Sequence, residues 1–332
     1  MRITSSAPTR IDLAGGTLDI WPLYLFHDAA QTLNVAVQLY ARAVITPHPE
    51  GRVSMASEDA GAAVEAANWC ALDPAGPLPL LSRLIRHFRA GGLHLATRAE
   101  SPMGAGIAGS SAMNVAVCGA LAAWTRTRLD ADALLEIAQN VEAQTIGVPT
   151  GSQDYRPAYY GGVSAVELSA DGVRRVALEV DVRELEARLV LAYTNASRDS
   201  GINNWEVTKR HIDGDRAVFD RFERIRDVAV AMRAALARGD WPEVGRQVAA
   251  EWENRKTLVP GVSTPAIDRL IDRARAAGAT GAKVCGAGGG GCLFCVSEPE
   301  AVPAVRDALT GAGARLMSFR VDTTGLDVTV AP

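Results

Sequence analysis

Two carboxylates twelve residues apart are the first candidates for chemistry in this sequence. Glu142 borders the apolar face of a predicted helix, ADALLEIAQNVEAQ, and Asp154 lies in the glycine- and proline-containing loop that follows it. Phosphoryl transfer needs one carboxylate near a metal ion and another near the acceptor hydroxyl, and this pair could provide both. For either residue taken alone, a solvated surface carboxylate is the commoner case, because most Asp and Glu side chains are exposed.

A glycine-rich segment, SPMGAGIAGSSAM at residues 101–113, precedes a helix predicted over 110–126. The backbone N–H groups of such a loop and of a helix N-terminus can bind phosphate. A serine hydroxyl at this place can reach a phosphate-bound Mg²⁺, and Ser110 and Ser111 are both available. The alternative is a tight strand–helix turn with a serine cap and no ligand.

The same segment fits the GxGxxG pattern, so a Rossmann NAD enzyme is a second alternative. A Rossmann site also requires an acidic residue about twenty positions later, at the end of a strand. Asp130 has the distance, but it starts a predicted helix with no strand before it. The pattern therefore favours phosphate binding over dinucleotide binding.

A second glycine-rich segment, KVCGAGGGGC, covers residues 283–292. Such a run loses much backbone entropy on folding unless its backbone must approach another backbone or a ligand closely, and the alternative is an edge turn. The segment also contains the CxxC pair Cys292 and Cys295, with Cys285 nearby. We interpret these cysteines as small buried side chains of an apolar strand, with a zinc or redox site as the alternative.

The N-terminal segment PTRIDLAGGTLDIWP places Arg10 on a predicted strand and Asp19 just after a Gly-Gly turn. Arg10 could be an edge charge and Asp19 a helix cap, so neither residue identifies a site without others.

The elements that must position these residues alternate between strands and helices. The predicted strands cover 41–47, 93–98, 162–168, 188–193, 282–285 and 292–296. The predicted helices cover 110–126, the segment after the cap Asp130, most of 205–277, and 300–310, before a final strand. The second half thus ends as strand, helix and strand, and a domain boundary near residue 180 is plausible.

Composition limits the class of protein. A chain of 332 residues suggests about two domains, and its net charge of −4 provides no positive surface for nucleic acid. The longest apolar stretch, at 115–124, is about ten residues, which is too short to cross a membrane. The N-terminus has no apolar signal core, and five cysteines do not make a disulfide scaffold. We expect a cytoplasmic protein without a membrane or nucleic-acid partner.

Three motifs in this order resemble the GHMP small-molecule kinases. They are PTRIDLAGGTLD, PMGAGIAGSSAM and KVCGAGGGGC, which are spread over nearly the whole chain. Together with PGVSTPAIDRL, they are most similar to the heptose 7-phosphate kinase and fucokinase branches. Ile107, Ala108 and Gly109 replace the usual Leu, Gly and Ser of the phosphate loop, and Thr17-Leu18 replaces a usual Gly-Thr.

The resemblance implies an α+β fold with two domains, residues 1–180 and 181–332. The first domain would contain a left-handed βαβ crossover, contrary to the general right-handed rule. The second would be ferredoxin-like, and the active site would lie between the two.

The resemblance also implies an ATP- and Mg²⁺-dependent kinase that phosphorylates a sugar hydroxyl. Asp154 would orient or deprotonate that hydroxyl, while the fixed charge of Arg10 would offset charge on the transferring group. Glu142 and Ser110, which we favour over Ser111, would hold Mg²⁺. The nucleotide would be bound by Pro102, Gly104, Gly106, Ala108, Gly109, Ser110 and Ser111. The substrate side would comprise Gly16, Thr17, Asp19, Gly151, Arg198, Gly289 and Gly290.

The acceptor implied is the anomeric hydroxyl of a heptose 7-phosphate or a related sugar, with a free-sugar kinase of the fucokinase or galactokinase kind as the alternative. A catalytically inactive relative that binds sugar or nucleotide is a further alternative. Arg198 could instead be a surface arginine at a helix start. The small-molecule partner is thus a sugar or sugar phosphate, and a homodimer is compatible with the sequence.

Overall fold

The computed structural model of the protein describes residues 1–196 and 200–332, with side chains described outside 197–203. The strands are β1 (Arg2–Ala14), β2 (Gln31–Pro47), β3 (Val53–Ser57), β4 (Ala62–Ala66), β5 (Leu93–Ala99), β6 (Val163–Ser169), β7 (Gly172–Ala177), β8 (Leu189–Tyr193), β9 (Ala279–Val284), β10 (Cys292–Ser297), β11 (Arg315–Met317) and β12 (Asp327–Ala331). The helices are α1 (Pro79–Phe88), α2 (Gly109–Thr125), α3 (Ala131–Ile146), α4 (Tyr155–Tyr160), α5 (Val182–Arg188), α6 (Ser200–Ile212), α7 (Arg216–Arg238), α8 (Trp241–Arg255), α9 (Pro265–Ala276) and α10 (Val302–Gly311).

The long strand β2 organises the first sheet. It pairs with β1 along most of its length, with β6 at its start and with β5 at its end. The sheet order is β12-β1-β2-β5-β3-β4, and β6 and β7 extend it beside the first part of β2. Only the end of β2, residues 41–47, was predicted as a strand.

Helix α2 packs across this sheet and against α1 and α3. Its residues from Ser111 to Leu121 are buried on every face, because apolar residues occupy the whole circumference of the helix. The next helix, α3, begins as predicted at Asp130, whose side chain accepts a hydrogen bond from the Ala133 amide at 2.8 Å. Asp130 is therefore a helix cap, which argues against the Rossmann alternative.

The second sheet confirms the predicted ferredoxin-like order. Its strands are antiparallel in the order β11-β8-β10-β9, with helices between β8 and β9 and the helix α10 between β10 and β11. Cys292 packs in the core shared with α7, whereas Cys295 packs in the core on the opposite face of β10. The two thiols of the CxxC pair thus lie on opposite faces of one strand, as expected for structural side chains.

Strand β12 returns from the second half of the chain to the first sheet, where it pairs antiparallel with β1. The division at residue 180, between β7 and α5, stays a prediction. Strands β3 and β5 are parallel, and the chain passes from one to the other through β4 and α1. The left-handed crossover also stays a prediction. Within the described residues, no helix has the length and apolar character that crossing a membrane requires.

Candidate active site

A cavity of about 350 Å³ lies where the loop between β5 and α2 meets the N-terminal strand and the loop after β9. Most of the predicted site residues line it, namely Arg10, Thr17, Asp19, Pro102, Gly104, Gly106, Ala108, Gly109, Ser110, Ser111, Glu142, Gly151 and Asp154. Side chains separated by more than 140 residues in the chain therefore lie around one space.

The loop before α2 adopts left-handed backbone conformations at alternate residues. Gly104, Gly106 and Ala108 all have positive φ, at 69°, 75° and 59°. A left-handed alanine is unfavourable, and here it turns the chain directly into the helix. The first N–H groups of α2 have no partner within the helix and lie at the cavity. Ser110 is exposed there, whereas Ser111 is buried, so the structure favours Ser110 as the hydroxyl that a ligand can reach.

Arg10 and Asp154 form an ion pair at the cavity wall. The Nε and Nη2 atoms of Arg10 donate to the same oxygen, Oδ1 of Asp154, at 3.1 and 2.5 Å. The other guanidinium nitrogen donates to the carbonyl of Gly106 in the phosphate loop and to Asp12. Arg10 thus fixes the Asp154 carboxylate through one oxygen and leaves Oδ2 outside the ion pair.

Glu142 is buried within the cavity wall, with 7% of its surface exposed. Its Oε2 atom has no hydrogen-bond partner in the part of the chain that the structure describes. Burial raises the pKa of Glu142, and the nearby hydroxyls of Tyr155 and Ser110 oppose that rise. An unpartnered buried carboxylate oxygen beside a serine hydroxyl fits the oxygen ligands that Mg²⁺ prefers.

Asp19 is also buried, at 1% exposure, and approaches Gly151 so closely that a Cβ there would lie 2.1 Å from Oδ2. That oxygen accepts a hydrogen bond from the Gln153 amide at 2.8 Å, so the carboxylate is bonded to a distant segment. Oδ1 has no partner among the described residues. Burial and the nearby charge of Asp154 raise the pKa of Asp19 to about 7.

Four buried charged residues that sequence reasoning missed connect the site to the second half of the chain. Asp12 contacts Arg10 and accepts hydrogen bonds from Lys283 at 3.0 Å and from the Gly286 amide at 2.8 Å. Glu251 forms ion pairs with both Lys283 and Arg255. Burial alone would raise the pKa of Asp12, but the positive charges of Lys283 and Arg10 hold that pKa well below its usual range.

Signals for these four residues were present in the sequence. Asp12 follows Arg10 by two positions, which places both on one face of a strand. Lys283 is a lone charge in an apolar strand, and Glu251 and Arg255 have the i,i+4 spacing of a helix pair.

Three predicted substrate residues lie outside the cavity lining. Gly289 donates to the Val262 carbonyl, and Gly290 packs on the Ala196 carbonyl, while Gly16 lies behind the cavity against Arg255. Gly286 and Ala287 line the cavity from that segment instead. Arg198 lies outside the described residues. Ser57, Asp59, Leu80 and Asn204 also line the cavity without a sequence signal that could have identified them.

The two glycine-rich segments pack against each other, which is the close backbone approach that the second run indicated. The amide of Cys292 donates to the Ala105 carbonyl at 2.6 Å, and a Cβ at Gly291 would lie 2.6 Å from the same oxygen. The second segment therefore requires glycine because the two backbones are in contact.

Comparison with known proteins agrees with this geometry. The N-terminal domain model of the GHMP kinases matches residues 78–162 and the C-terminal model matches residues 232–315. The D-glycero-alpha-D-manno-heptose 7-phosphate kinase of Campylobacter jejuni is 28% identical, over 90% of both chains. The L-fucokinase/L-fucose-1-P guanylyltransferase of Bacteroides fragilis is 26% identical over 92% of this chain and 35% of its own length.

Among solved structures, a D-glycero-D-manno-heptose 1-phosphate kinase from Bacteroides thetaiotaomicron superposes with a TM-score of 0.81 at 26% identity, covering 99% of both chains. The galactokinase of Lactococcus lactis has the same fold, with a TM-score of 0.80 at 19% identity. Both domain models match in order, and full-length relatives cover nearly the whole chain. This chain therefore belongs to the GHMP kinases and has their α+β fold.

Proposed function

We propose that this protein is an ATP- and Mg²⁺-dependent sugar kinase that phosphorylates the anomeric hydroxyl of a heptose phosphate or a closely related sugar. The observation that carries the proposal is the convergence of the Arg10–Asp154 ion pair, the buried carboxylate Glu142 and the open N-terminus of α2 on one cavity.

Each part of the wall has a role in this reaction. The N-terminus of α2 and the glycines of its loop bind the triphosphate through backbone N–H groups. Glu142 and Ser110 would hold Mg²⁺, and the bound ion would neutralise negative charge on the triphosphate. Asp154 orients the acceptor hydroxyl and accepts its proton at Oδ2, the oxygen that Arg10 does not bind. The positive charge of Arg10 offsets negative charge that develops on the transferring group.

The acceptor side is defined by Asp19, with Thr17 and Gly151 beside it. A carboxylate that is buried and has one unpartnered oxygen can accept hydrogen bonds from neighbouring sugar hydroxyls. The heptose phosphate kinases among the relatives support a seven-carbon acceptor, and the fucokinase relative supports the alternative of a free sugar. We further propose a cytoplasmic location, and homodimer formation stays a prediction.

The test is ADP release with Mg·ATP across a panel of free hexoses, heptoses and their phosphates. We expect turnover with at least one heptose or heptose phosphate, with a phosphate on the anomeric carbon of the product by NMR. Calorimetry should also show binding of Mg·ATP and no tight binding of NADH. ATP binding without turnover on any sugar would favour an inactive relative, and tight NADH binding would overturn the proposal.

A further inference from the structure

The turn that carries Thr17 is held in an unfavourable conformation. Thr17 has a φ of 71°, in the left-handed region that β-branched residues rarely adopt. Its side chain is buried and lines the cavity two residues before Asp19. A strained residue at a binding surface persists only where surrounding contacts hold it in place.

Those contacts come from Arg255 at the end of α8, about 240 residues later in the chain. Its Nη1 atom donates to Oγ1 of Thr17 at 3.1 Å, and its Nη2 atom donates to the carbonyl of Gly16 at 2.7 Å. Arg255 is itself 1% exposed, and Glu251 accepts from its Nε and Nη2 atoms at 2.7 and 2.5 Å. The planar guanidinium is thus fixed on one side by a carboxylate and fixes the turn on the other.

The absence of a side chain at Gly16 lets Arg255 approach the backbone of the turn closely. A Cβ at Gly16 would lie 3.1 Å from Nη2 of Arg255 and 2.9 Å from the Gln153 side chain. The turn is therefore packed directly between Arg255 and the segment that contains Gly151 and Asp154. A displacement of the turn would move Thr17 and Asp19 together, because the Ile20 amide donates to the Thr17 carbonyl and Asp19 lies between them.

We propose that Arg255 is a positioning residue for the sugar acceptor: by holding the Gly16–Thr17 turn, it sets the place of Thr17 and Asp19 at the cavity. The expected effect of Arg255 on sugar affinity rests on the proposed sugar kinase function, whereas its effect on the conformation of the turn does not. Arg255 does not line the cavity, so it acts through the turn and not through substrate contact.

The decisive variant is Arg255→Lys, which keeps the charge beside Glu251 but loses the planar fork that reaches two acceptors. We expect the KM for the sugar to rise by about tenfold or more while the KM for ATP stays within about twofold. Hydrogen exchange of the amides at Leu18 and Ile20, which bond within the turn, should become at least about tenfold faster.

Arg210→Lys is the matched control. Arg210 also places two donors on one carboxylate oxygen, at Asp215, and a third on a backbone carbonyl, at Leu258. None of these residues lines the cavity, so this variant should leave both KM values and the exchange of the turn unchanged.

A second variant, Thr17→Val, removes only the hydroxyl that Arg255 binds. It should by itself accelerate exchange in the turn, which keeps the proposal testable if Arg255→Lys does not fold. In the Thr17→Val background, Arg255→Lys should raise the sugar KM by a smaller factor than in the wild type, because part of the contact is already lost.

The proposal is overturned if Arg255→Lys lowers the melting temperature while the turn keeps its wild-type exchange, or if the KM values for sugar and ATP rise equally. If the wild-type protein phosphorylates no sugar, the proposed function fails, and the exchange measurements still decide whether Arg255 positions the turn.

Discussion

Arg10 and the carboxylates around it differ in how their charges are balanced. Arg10 lies between Asp12 and Asp154 and contacts both, and Lys283 also contacts Asp12, so each of these carboxylates has a cation beside it. Asp19 and Glu142 form no ion pair with any described residue, and burial raises the pKa of each. Arg10 thus holds Asp12 and Asp154 in place and leaves Oδ2 of Asp154 outside the ion pair, while Asp19 and Glu142 each have an oxygen that can accept from a ligand or bind a metal ion.

We first predict that substitutions of Asp154 and Glu142 have different effects on the Mg²⁺ requirement. Asp154→Asn should lower kcat by about 10²–10³ with little change in the Mg²⁺ requirement, because it removes a group that acts on the acceptor. Glu142→Gln should lower turnover to a similar degree and raise the Mg²⁺ concentration needed for half-maximal rate. Steady-state kinetics with Mg²⁺ titration measures both, and near-normal turnover of both folded variants would contradict the assignment.

Asp19→Asn should separate a substrate ligand from a structural carboxylate. We expect the sugar KM to rise or kcat/KM to fall by roughly 10–100-fold, since charge-assisted hydrogen bonds to hydroxyls are lost, with the ATP KM nearly unchanged. A lower melting temperature with normal sugar kinetics would instead show that Asp19 is structural.

The raised pKa of Asp19 predicts a pH dependence of stability. The folded chain binds this proton up to a pH of about 7, whereas the unfolded chain releases it near 4. Ionisation therefore costs stability, and the contribution of Asp19 is lost as the pH rises from about 4 to about 7. The melting temperature of Asp19→Asn relative to the wild type should increase across this range. A constant difference between the two melting curves would show that the carboxyl is not perturbed.

At the scale of secondary-structure elements, the site depends on two loops that pack back to back. The loop before α2 faces the cavity, and the loop between β9 and β10 supports it from behind through Gly291 and Cys292. Both loops were predicted from their glycines. The function of each glycine within the second loop could not be predicted. The backbone segment that each glycine contacts depends on how the two halves of the chain pack together.

Gly291→Ala tests this support. Gly291 has a φ of 82° and no room for a Cβ, whereas Gly261, with a φ of 91°, has open space around it. Both alanine variants incur the left-handed penalty of about 1 kcal/mol, but only Gly291→Ala must displace the Ala105 carbonyl. We expect about a tenfold or larger loss of kcat/KM for ATP with Gly291→Ala and near-normal kinetics with Gly261→Ala. Equal kinetics of the two would exclude a role of the loop contact.

The elements themselves were predictable to different degrees. Helices α2, α3 and α10 and strands β5, β6, β8 and β10 lie close to their predicted places because their apolar patterns and caps are local. Strands β3 and β4 were missed, since their short segments are half exposed and the pairing of β3 with β5, which brings both into the sheet, is decided by distant residues. The first part of β2 was also missed, although its residues 31–37 are buried, because its partners there, β1 and β6, lie elsewhere in the chain.

At the scale of the whole molecule, buried charges and one strand join the two halves. The contact of Lys283 with Asp12 spans 271 residues, and β12 pairs with β1 across nearly the entire chain. The order of the three motifs identified the family and its fold, but the residues that couple the halves could not be paired from sequence. Nothing in the local pattern of Lys283 indicates which carboxylate lies opposite.

Removing β12 tests how far the first sheet depends on this strand. Deletion of residues 327–332 exposes the edge of β1 and uncovers apolar surface of α2 at Gly119, where Val328 packs. We expect the melting temperature to fall by roughly 5 °C or more and light scattering to rise, since an open strand edge promotes association. Val330→Ala, which changes an exposed side chain and keeps the strand, is the control. A deletion variant as stable and monodisperse as the control would contradict the prediction.

Strand β12 also sets an order of events during synthesis. About 310 residues separate the end of β1 from the start of β12, which a ribosome adds in roughly 15–60 s. During that time the chain contains β2, the native partner of one edge of β1, but not β12, the partner of its other edge. The edge of β1 that β12 covers therefore has no native neighbour until that strand has been made, so the first sheet is completed only after the second half of the chain has been synthesised.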